Sequence, residues 1–249
     1  MRLKDKVAIV TGAGSGNGAA IAHEFLEQGA KVVFADIDQG KAETEARNSG
    51  VSREHWLAVQ TDVASKESVE NLISETLKAF SDLDIMVANA GITIRKTFLE
   101  LTEDDYDRVM AVNAKGVFLC SQEAARVMVE NKKGSIIHMS STTSVLAEPN
   151  AVQYGASKGA VASMTRHMAM DLGSFGVRVN AIAPGTIMTN LTASRLEDQE
   201  VMAREGSLTM LNRIGRPDDL TGAAVFLASD ESSFITGTQI FVDGGYSAK

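Results

Sequence analysis

The chain has 249 residues, a formal net charge of −8, and 44% hydrophobic against 22% charged residues. The acidic balance disfavours nucleic acids and anionic membranes as partners, because both bind basic surfaces. No apolar run reaches the roughly 20 residues of a membrane span. Only 3 prolines occur, and no linker-like or low-complexity tract interrupts the chain, so we expect one domain over residues 1–249.

Small molecules remain as the natural ligands. The N-terminal residues lead directly into an apolar run without the features of a signal peptide, which predicts a cytoplasmic location. The single cysteine, Cys120, excludes an intrachain disulfide and is expected to be a small buried side chain. The 4 histidines lack the spacing of metal ligands, so no metal site is expected.

The first predicted strand is followed by a glycine-rich turn. Residues 7–10 form a short apolar run, which is typical of a strand buried on both faces of a parallel sheet. Residues 11–18 form the turn, and a helical pattern covers residues 19–28. Glycine in such a turn lets a pyrophosphate approach backbone amides and the positive end of the helix. The strict G-x-G-x-x-G pattern fails at Asn17, so a tight turn without a ligand remains an alternative.

An acidic residue ends the second predicted strand, residues 31–35. Asp36 stands 18 residues beyond the last glycine of the turn. An acid near this offset accepts hydrogen bonds from the adenosine ribose hydroxyls. Its carboxylate would repel a 2′-phosphate, and neither Ser15 nor Ile37 carries a cation to offset that repulsion. Asp36 therefore predicts NAD as the cofactor. Its alternative role, capping the next helix, suits Asp38 better.

Polar residues follow the next two strands as well. The sequence predicts strands over residues 56–60 and 84–88 and a long helix over residues 104–130. Asp62 follows the third strand, where it either hydrogen-bonds an adenine amine or starts the next helix, and both roles stay open. Asn89-Ala90-Gly91 follow the fourth strand, and their small side chains leave room for a flat ligand. Asn113 lies among apolar residues of the long helix and therefore requires a defined hydrogen-bond partner.

A serine, a tyrosine and a lysine come next. The fifth predicted strand, residues 135–139, delivers Ser141 to the carboxyl edge of the sheet, where ligands bind in open parallel sheets. Tyr154 and Lys158 are four residues apart on the predicted helix 154–172, which places them on one face. A neighbouring ammonium favours the phenolate and is expected to bring the pKa of Tyr154 closer to working pH. Because this spacing also occurs by chance, the pair indicates a catalytic site only in combination with the glycine-rich turn, Asp36 and Ser141.

The last third of the chain continues the alternation of predicted strands and helices. The sequence predicts strands over residues 177–182 and 238–242, turn chemistry over residues 184–189, and a helix that begins at Pro217. Residues 190–212 are predicted to be the least regular segment, a mobile lid over an apolar pocket. Its side chains expected to enclose an uncharged substrate are Leu191, Leu196, Met202 and Met210. Alternating strands and helices predict an α/β doubly wound fold with a seven-stranded parallel sheet flanked by helices.

These motifs, in this order and spacing, resemble those of the short-chain dehydrogenase/reductase family in its common form of about 250 residues. The match extends over essentially the whole chain. It rests on Thr11-Gly12, Gly16, Gly18, Asp62-Val63, Asn89-Ala90-Gly91, Asn113, Ser141, Tyr154, Lys158 and Pro184-Gly185. Asn17 and Ala88 depart from the commonest pattern of the family, in which the first is Ile or Leu and the second is Asn.

The resemblance implies roles for these residues in a single Rossmann-like NAD(P)-binding catalytic domain. Tyr154 would be the acid/base, and Ser141 would orient the substrate oxygen. Lys158 would tune Tyr154 and bind a ribose, and Asn113 would hold a water in the proton relay. Asn89 and Ala90 would line the ribose side, and Ile187 and Thr189 would meet the nicotinamide carboxamide. The implied cofactor-binding residues are Gly12, Ser15, Gly16, Asn17, Gly18, Asp36, Ile37, Asp62, Val63, Asn89, Ala90, Gly91, Tyr154, Lys158, Pro184, Gly185, Ile187 and Thr189.

We therefore expect an NAD-dependent oxidoreductase that interconverts a secondary alcohol, polyol or sugar hydroxyl and the corresponding ketone. Family resemblance and the apolar helical stretches also suggest a homotetramer. One alternative is a 3-oxoacyl-thioester reductase of the same fold, which would prefer NADPH and dock an acidic carrier protein on a basic surface. Residues 190–212 carry a formal charge of −2, which disfavours that partner. A non-catalytic dinucleotide-binding regulator is the remote alternative, and it has no need of the Ser, Tyr and Lys set.

Overall fold

The computed structural model describes the backbone of residues 1–249 and all side chains except that of residue 194. At its centre lies one sheet of seven parallel strands. The strands are β1 Val7–Thr11, β2 Lys31–Asp36, β3 Trp56–Gln60, β4 Ile85–Ala88, β5 Gly134–Met139, β6 Val177–Pro184 and β7 Gln239–Val242. Their order across the sheet is β3-β2-β1-β4-β5-β6-β7. The strand order therefore reverses between β1 and β4, which is the arrangement of a doubly wound, Rossmann-like sheet.

Helices cover both faces of this sheet. They are α1 Gly16–Glu27, α2 Gln39–Asn48, α3 Lys66–Phe80, α4 Glu103–Met110, α5 Gly116–Asn131, α6 Val152–Leu172, α7 Asn190–Leu196, α8 Gln199–Ser207 and α9 Asp218–Ala228. Buried side chains of α1, α2 and α9 form one core cluster, and those of α3, α5 and α6 form the other. The predicted fold class is confirmed.

The strand sequences explain why the sheet is buried on both faces. Side chains alternate between the two faces along a strand. In β1, Ala8 and Val10 join the core under α1 and α9, whereas Ile9 joins the core under α3 and α5. In β2, Val32 and Phe34 point one way and Val33 points the other. Both faces need apolar side chains, so these strands appear in the sequence as uninterrupted apolar runs.

Helix starts follow the capping chemistry that the sequence contains. The Asp38 side chain accepts a hydrogen bond from the Lys41 amide at 3.1 Å, which confirms it as the cap of α2. The Ser65 hydroxyl accepts one from the Ser68 amide at 3.3 Å and begins α3. Among the described residues, no helix combines the length and the apolar character needed to cross a bilayer.

Two predicted segments differ from the structure. The long helix expected over residues 104–130 is interrupted by a π-helical turn, Ala111–Lys115, between α4 and α5. The prediction that residues 190–212 are irregular is wrong, because α7 and α8 lie there. The Thr192 hydroxyl accepts a hydrogen bond from the Thr189 amide at 3.0 Å, and Asp198 Oδ1 accepts one from the Glu200 amide at 2.8 Å. These local bonds begin two short helices that the weak apolar pattern did not indicate.

Candidate functional site

A cleft of about 330 Å³ lies at the carboxyl edge of the sheet, where the strand order reverses. Because the carboxyl ends of parallel strands meet at one edge, residues far apart in sequence come together there. The lining comprises Gly12, Ser15, Gly16, Asn17, Asp36, Ile37, Thr61, Asp62, Val63, Asn89, Ala90, Gly91, Ile92, Val112, Met139, Ser140, Ser141, Tyr154, Lys158, Pro184, Gly185, Ile187, Thr189, Asn190, Leu191 and Thr192. Of the predicted site residues, all but Gly18 and Asn113 lie in this lining.

The glycine-rich turn forms a cradle at the N-terminus of α1. Gly12 adopts φ +66°, a backbone conformation that L side chains rarely adopt. Gly18 lies behind the lining, where an added Cβ would be 2.2 Å from the Gly12 carbonyl oxygen. Asn17 occupies the first turn of α1, and its buried Oδ1 has no hydrogen-bond partner among the described residues. The backbone amides and positive helix end can therefore hold a pyrophosphate, and the departure at Asn17 leaves the cradle intact.

Hydrogen bonds join this turn to the segment after β4. Asn89 Nδ2 donates to the Thr11 carbonyl oxygen at 2.8 Å. The Thr11 hydroxyl accepts hydrogen bonds from the Asn89 amide at 3.0 Å and the Ala90 amide at 3.1 Å. The two strand ends at the reversal point are thereby fixed relative to each other, with the small side chain of Ala90 in the cleft.

Asp36 lies at the end of β2 with both carboxylate oxygens placed by the backbone. Its Oδ2 accepts a hydrogen bond from the Gly14 amide at 2.9 Å and its Oδ1 accepts one from the Asp38 amide at 3.0 Å. Each oxygen keeps a further lone pair for a ribose hydroxyl. Lys41 is an unexpected neighbour: its stem lies beside Asp36 across Gly14, and its Nζ is 3.5 Å from Asp38 Oδ2.

Of the two roles that the sequence left open for Asp62, the structure contains the helix-start contact, and the hydrogen bond to an adenine amine stays a prediction. Its Oδ1 accepts a hydrogen bond from the Ala64 amide at 2.9 Å, which is a helix-start contact ahead of α3. It also lines the cleft beside Val63. A local backbone bond and a ligand contact therefore do not exclude each other at this position, since a carboxylate accepts several hydrogen bonds.

Ser141, Tyr154 and Lys158 come together in the same cleft as Asp36. Ser141 follows β5, and Tyr154 and Lys158 lie on α6. The Ser141 hydroxyl oxygen accepts a hydrogen bond from the Thr143 amide at 3.1 Å, which leaves its proton to donate. Lys158 is 3% exposed, and its Nζ donates to the Met139 carbonyl oxygen at 2.7 Å. That ammonium lies 5.6 Å from the centre of the Tyr154 ring.

The expected lowering of the Tyr154 pKa is wrong for this structure. Burial raises the pKa of Tyr154 to about 12, and Glu148 raises it further, while polar contact with Ser141 and the charge of Arg95 oppose the rise. Burial also lowers the pKa of Lys158 to about 8. The expected lowering of this pKa rested on the charge of the Lys158 ammonium alone. In the folded protein desolvation of the phenol dominates, and the ammonium is bonded to a backbone carbonyl.

Asn113 has the partners that its burial required, in the π-helical turn. Its Oδ1 accepts a hydrogen bond from the Ile92 amide at 2.8 Å, and its Nδ2 donates to the Ile92 carbonyl at 2.9 Å. Nδ2 also lies 3.2 Å from the Ser157 hydroxyl oxygen. The amide therefore links α6 to Ile92, which lines the cleft. Its role in a proton relay stays a prediction.

The segment expected to cover the substrate contributes less than predicted. Leu191 at the start of α7 lines the cleft. Leu196 is buried in the protein, and Met210 lies against Gly245, where an added Cβ would be 2.7 Å from its sulfur atom. Lining residues beyond the predicted site residues and Leu191 are Thr61, Ile92, Val112, Met139, Ser140, Asn190 and Thr192. Most of these are adjacent in sequence to a predicted residue, and this adjacency was the available signal.

Comparison with known proteins gives consistent matches over the whole length. A family model described as enoyl-(acyl carrier protein) reductase matches residues 12–247. An NAD-dependent glycerol dehydrogenase of Listeria innocua is 38% identical over 247 residues, with 99% of this chain and 96% of that protein covered. A secoisolariciresinol dehydrogenase of Forsythia intermedia is 35% identical, with 99% and 90% covered.

Solved structures of similar proteins agree with these sequence matches. A gluconate 5-dehydrogenase from Burkholderia cenocepacia, in complex with NADP and tartrate, is 36% identical with a TM-score of 0.94, and 100% of this chain and 97% of that chain are covered. A short-chain type dehydrogenase/reductase from Mycobacterium marinum is 32% identical with a TM-score of 0.95, and 99% and 97% are covered. The fold and these matches define an oxidoreductase with a Rossmann-like sheet. The chain belongs to the short-chain dehydrogenase/reductase family, as its motifs predicted.

Proposed function

We propose that the protein is an NAD-dependent dehydrogenase that interconverts a secondary alcohol, including polyols and sugar hydroxyls, and the corresponding ketone. The observation that carries this proposal is the meeting of Ser141, Tyr154 and Lys158 in one cleft with the glycine cradle. A hydroxyl donor, a phenol and an ammonium form a site for moving a proton to or from a substrate oxygen. A non-catalytic dinucleotide-binding regulator would have no need of this set.

The proposed roles account for the proton and the electron pair. A bound NAD would supply the acceptor for the hydride of the carbinol carbon, that is, for the hydrogen and both electrons of the broken C–H bond. The Ser141 hydroxyl donates a hydrogen bond to the substrate oxygen and orients it. The Tyr154 phenolate takes the hydroxyl proton during oxidation, and the phenol returns it during ketone reduction. The Lys158 ammonium stabilises the phenolate electrostatically.

Residues along the rest of the cleft suit the cofactor. The amides of the glycine cradle and the N-terminus of α1 would hold the pyrophosphate. Asp36 would bind the adenosine ribose, and Asn89 with Lys158 would contact the nicotinamide ribose. Ile187 and Thr189, which follow β6, would meet the carboxamide. All of these residues line the same cleft, which supports the assignment.

We predict a preference for NAD over NADP. The Asp36 carboxylate is fixed by two backbone amides, so it cannot easily turn away from a 2′-phosphate, and Lys41 beside it is already paired with Asp38. We expect catalytic efficiency with NAD to exceed that with NADP by at least about 100-fold. Steady-state kinetics and NADH against NADPH fluorescence titrations test this preference. Asp36→Asn should lower the ratio of the catalytic efficiency with NAD to that with NADP. Equal efficiency with both cofactors in the native protein would contradict the prediction.

The substrate is proposed to be a small or medium molecule handled free in solution. The chain carries a net charge of −8 and residues 190–212 carry −2, so an acidic carrier protein is repelled. Glu205 of this segment accepts a hydrogen bond from Thr186 at 2.9 Å and pairs with Arg195 at 3.2 Å, which brings a carboxylate close to the exit of β6.

The competing assignment, a 3-oxoacyl-thioester reductase, is tested directly. We expect kcat/KM for small ketones and secondary alcohols to exceed that for a 3-oxoacyl thioester by at least about 10-fold, because a mismatch of about 1.4 kcal/mol in transition-state binding gives that factor. The assay follows NADH absorbance for both substrate classes. Higher efficiency with the thioester would overturn the free-substrate assignment and favour the competing one.

We also propose a cytoplasmic homotetramer. Large apolar side chains are exposed on the helices that the sequence singled out: Tyr106 on α4, Phe118 on α5 and Met170, which is 83% exposed, on α6. Covering such side chains between copies is a common route to symmetric oligomers. Light scattering at micromolar concentration should therefore give a mass about four times the 26.5 kDa of one chain. A monomeric mass would contradict this prediction.

A further inference from the structure

An ion pair connects two loops beside the proposed catalytic tyrosine. Arg95 follows β4, and Glu148 precedes α6. Their Nη2 and Oε2 atoms are 2.8 Å apart, and Arg95 Nη1 also donates to the Pro149 carbonyl at 3.3 Å. The Arg95 side chain is 32% exposed and that of Glu148 is 19% exposed, so the pair is accessible yet partly shielded from water.

Arg95 and Glu148 lie outside the cleft lining, and neighbouring contacts connect them to the part of the cleft that holds Tyr154. Ile92, three residues before Arg95, lines the cleft. The Gln153 side-chain amide donates to the Ile94 carbonyl, which ties the residue before Arg95 to the residue before Tyr154. The charges of Glu148 and Arg95 both act on the Tyr154 phenol, with opposite sign. A substrate whose oxygen reaches that phenol is therefore within the field of both charged groups.

The pair offers a donor and an acceptor with no net charge. A guanidinium has five N–H donors, and its bonds to Glu148 and Pro149 leave others for a ligand. The Glu148 carboxylate accepts hydrogen bonds only. Adjacent hydroxyl groups both donate and accept, so a polyol can bond to both members at once. A substrate carboxylate can bond to Arg95 alone and is repelled by Glu148.

We infer that Arg95 and Glu148 together select neutral polyhydroxyl substrates over the corresponding sugar acids. This inference rests on the proposed dehydrogenase function and narrows its substrate class. Removing the negative member should turn the site into a carboxylate site, because an unpaired guanidinium binds carboxylates in a bidentate manner. Removing the positive member should weaken both substrate types.

Two matched substrate pairs test the inference: glycerol with D-glycerate, and D-glucitol with D-gluconate. Each pair shares a carbon skeleton and differs at one end, CH₂OH against carboxylate. For the native protein with NAD, we expect kcat/KM for the neutral member to exceed that for the acid by at least about 10-fold. Glu148→Gln should lower the ratio of kcat/KM for the neutral member to kcat/KM for the acid by at least about 10-fold. The double variant, Glu148→Gln with Arg95→Gln, should lose this gain in kcat/KM for the acid.

A matched control is Glu75→Gln, whose carboxylate pairs with Lys78 at 2.7 Å on α3, a helix that contributes no residue to the cleft lining. It should leave the ratio unchanged, and NADH titrations with thermal melting should show that every variant is folded and binds cofactor. An unchanged ratio in Glu148→Gln, or a native preference for the acids, overturns the inference. Oxidation of 2-butanol without oxidation of either polyol also overturns the inference, but it is consistent with the proposed dehydrogenase function. If no alcohol is oxidised and no ketone is reduced, the proposed function itself fails.

Discussion

Tyr154→Phe is expected to lower turnover by at least about 10³-fold while NADH still binds, because the variant keeps the ring and loses the hydroxyl group that carries the transferable proton. General acid–base catalysis by a positioned side chain contributes about 10²–10⁴-fold. The phenol is the group in the proposed site that changes charge during the reaction, so the expected loss lies toward the upper part of that range. The ring itself lines the cleft, and its retention should preserve the shape of the cofactor site.

The measurement combines steady-state kinetics with an NADH fluorescence titration. Tyr106→Phe on α4 is the matched control, because it removes the same atom from a tyrosine that is 40% exposed and does not line the cleft. The control should keep its activity. Turnover in Tyr154→Phe comparable to that of the native protein would remove Tyr154 from the proposed mechanism, whatever its position in the cleft.

The pH profile gives a second readout of the same residue. Because burial raises the pKa of Tyr154 to about 12, the phenol stays protonated through neutral pH. Ketone reduction, which needs the proton, should therefore be supported at neutral pH. Alcohol oxidation needs the phenolate and should become faster as pH rises from the acidic range to about 8, the pKa of Lys158, above which loss of the stabilising ammonium should level the rise. A faster oxidation at acidic pH than at alkaline pH would contradict this assignment of proton donor and acceptor.

The strands were predictable because each one is a short, nearly uninterrupted apolar run. Alternation of such runs with helical patterns leaves few topologies open, since parallel strands need crossover helices and those crossovers share one hand. The remaining errors lie at the ends of the elements. The fourth strand begins at Ile85 and not at Asp84, whose carboxylate accepts a hydrogen bond from the Val7 amide at 2.9 Å.

The position of the cleft was predictable for the same reason. Carboxyl ends of parallel strands meet at one edge, so residues after the strands could be assigned to a common site without knowledge of side-chain contacts. Chemical detail was not predictable in this way. The direction of the Tyr154 pKa shift depends on how much protein surrounds the phenol and on which atom the Lys158 ammonium contacts, and both follow from the packing of α6 on β5.

Contacts between loops were the least accessible from the sequence. Arg95 and Glu148 are 53 positions apart and belong to no helix or strand, so no periodicity relates them. The two helices after β6 were missed for a different reason. Their starts depend on the hydroxyl of Thr192 and the carboxylate of Asp198 in local bonds, whereas the apolar pattern on which the prediction relied is weak there.

Gly18→Ala is expected to weaken NADH binding by at least about 100-fold, which corresponds to about 2.8 kcal/mol. An alanine Cβ at this position would lie 2.2 Å from the Gly12 carbonyl oxygen and 2.6 Å from Asn89 Nδ2. The first contact involves backbone atoms and cannot be relieved by turning a side chain, so the glycine turn must move away from α1. That movement displaces the amides proposed to hold the pyrophosphate and disturbs the bond from Asn89 to Thr11.

Gly222→Ala on α9 is the matched control, since an added Cβ there has no heavy atom within 4 Å. In a helix interior this change should stabilise the protein by up to about 1 kcal/mol, through the higher helix propensity of alanine. NADH fluorescence titration and thermal melting separate the two effects: Gly18→Ala should lose affinity beyond any loss of melting temperature, whereas Gly222→Ala should bind NADH normally. Native affinity in a folded Gly18→Ala variant would show that the close approach of this turn to α1 is not what builds the cofactor site.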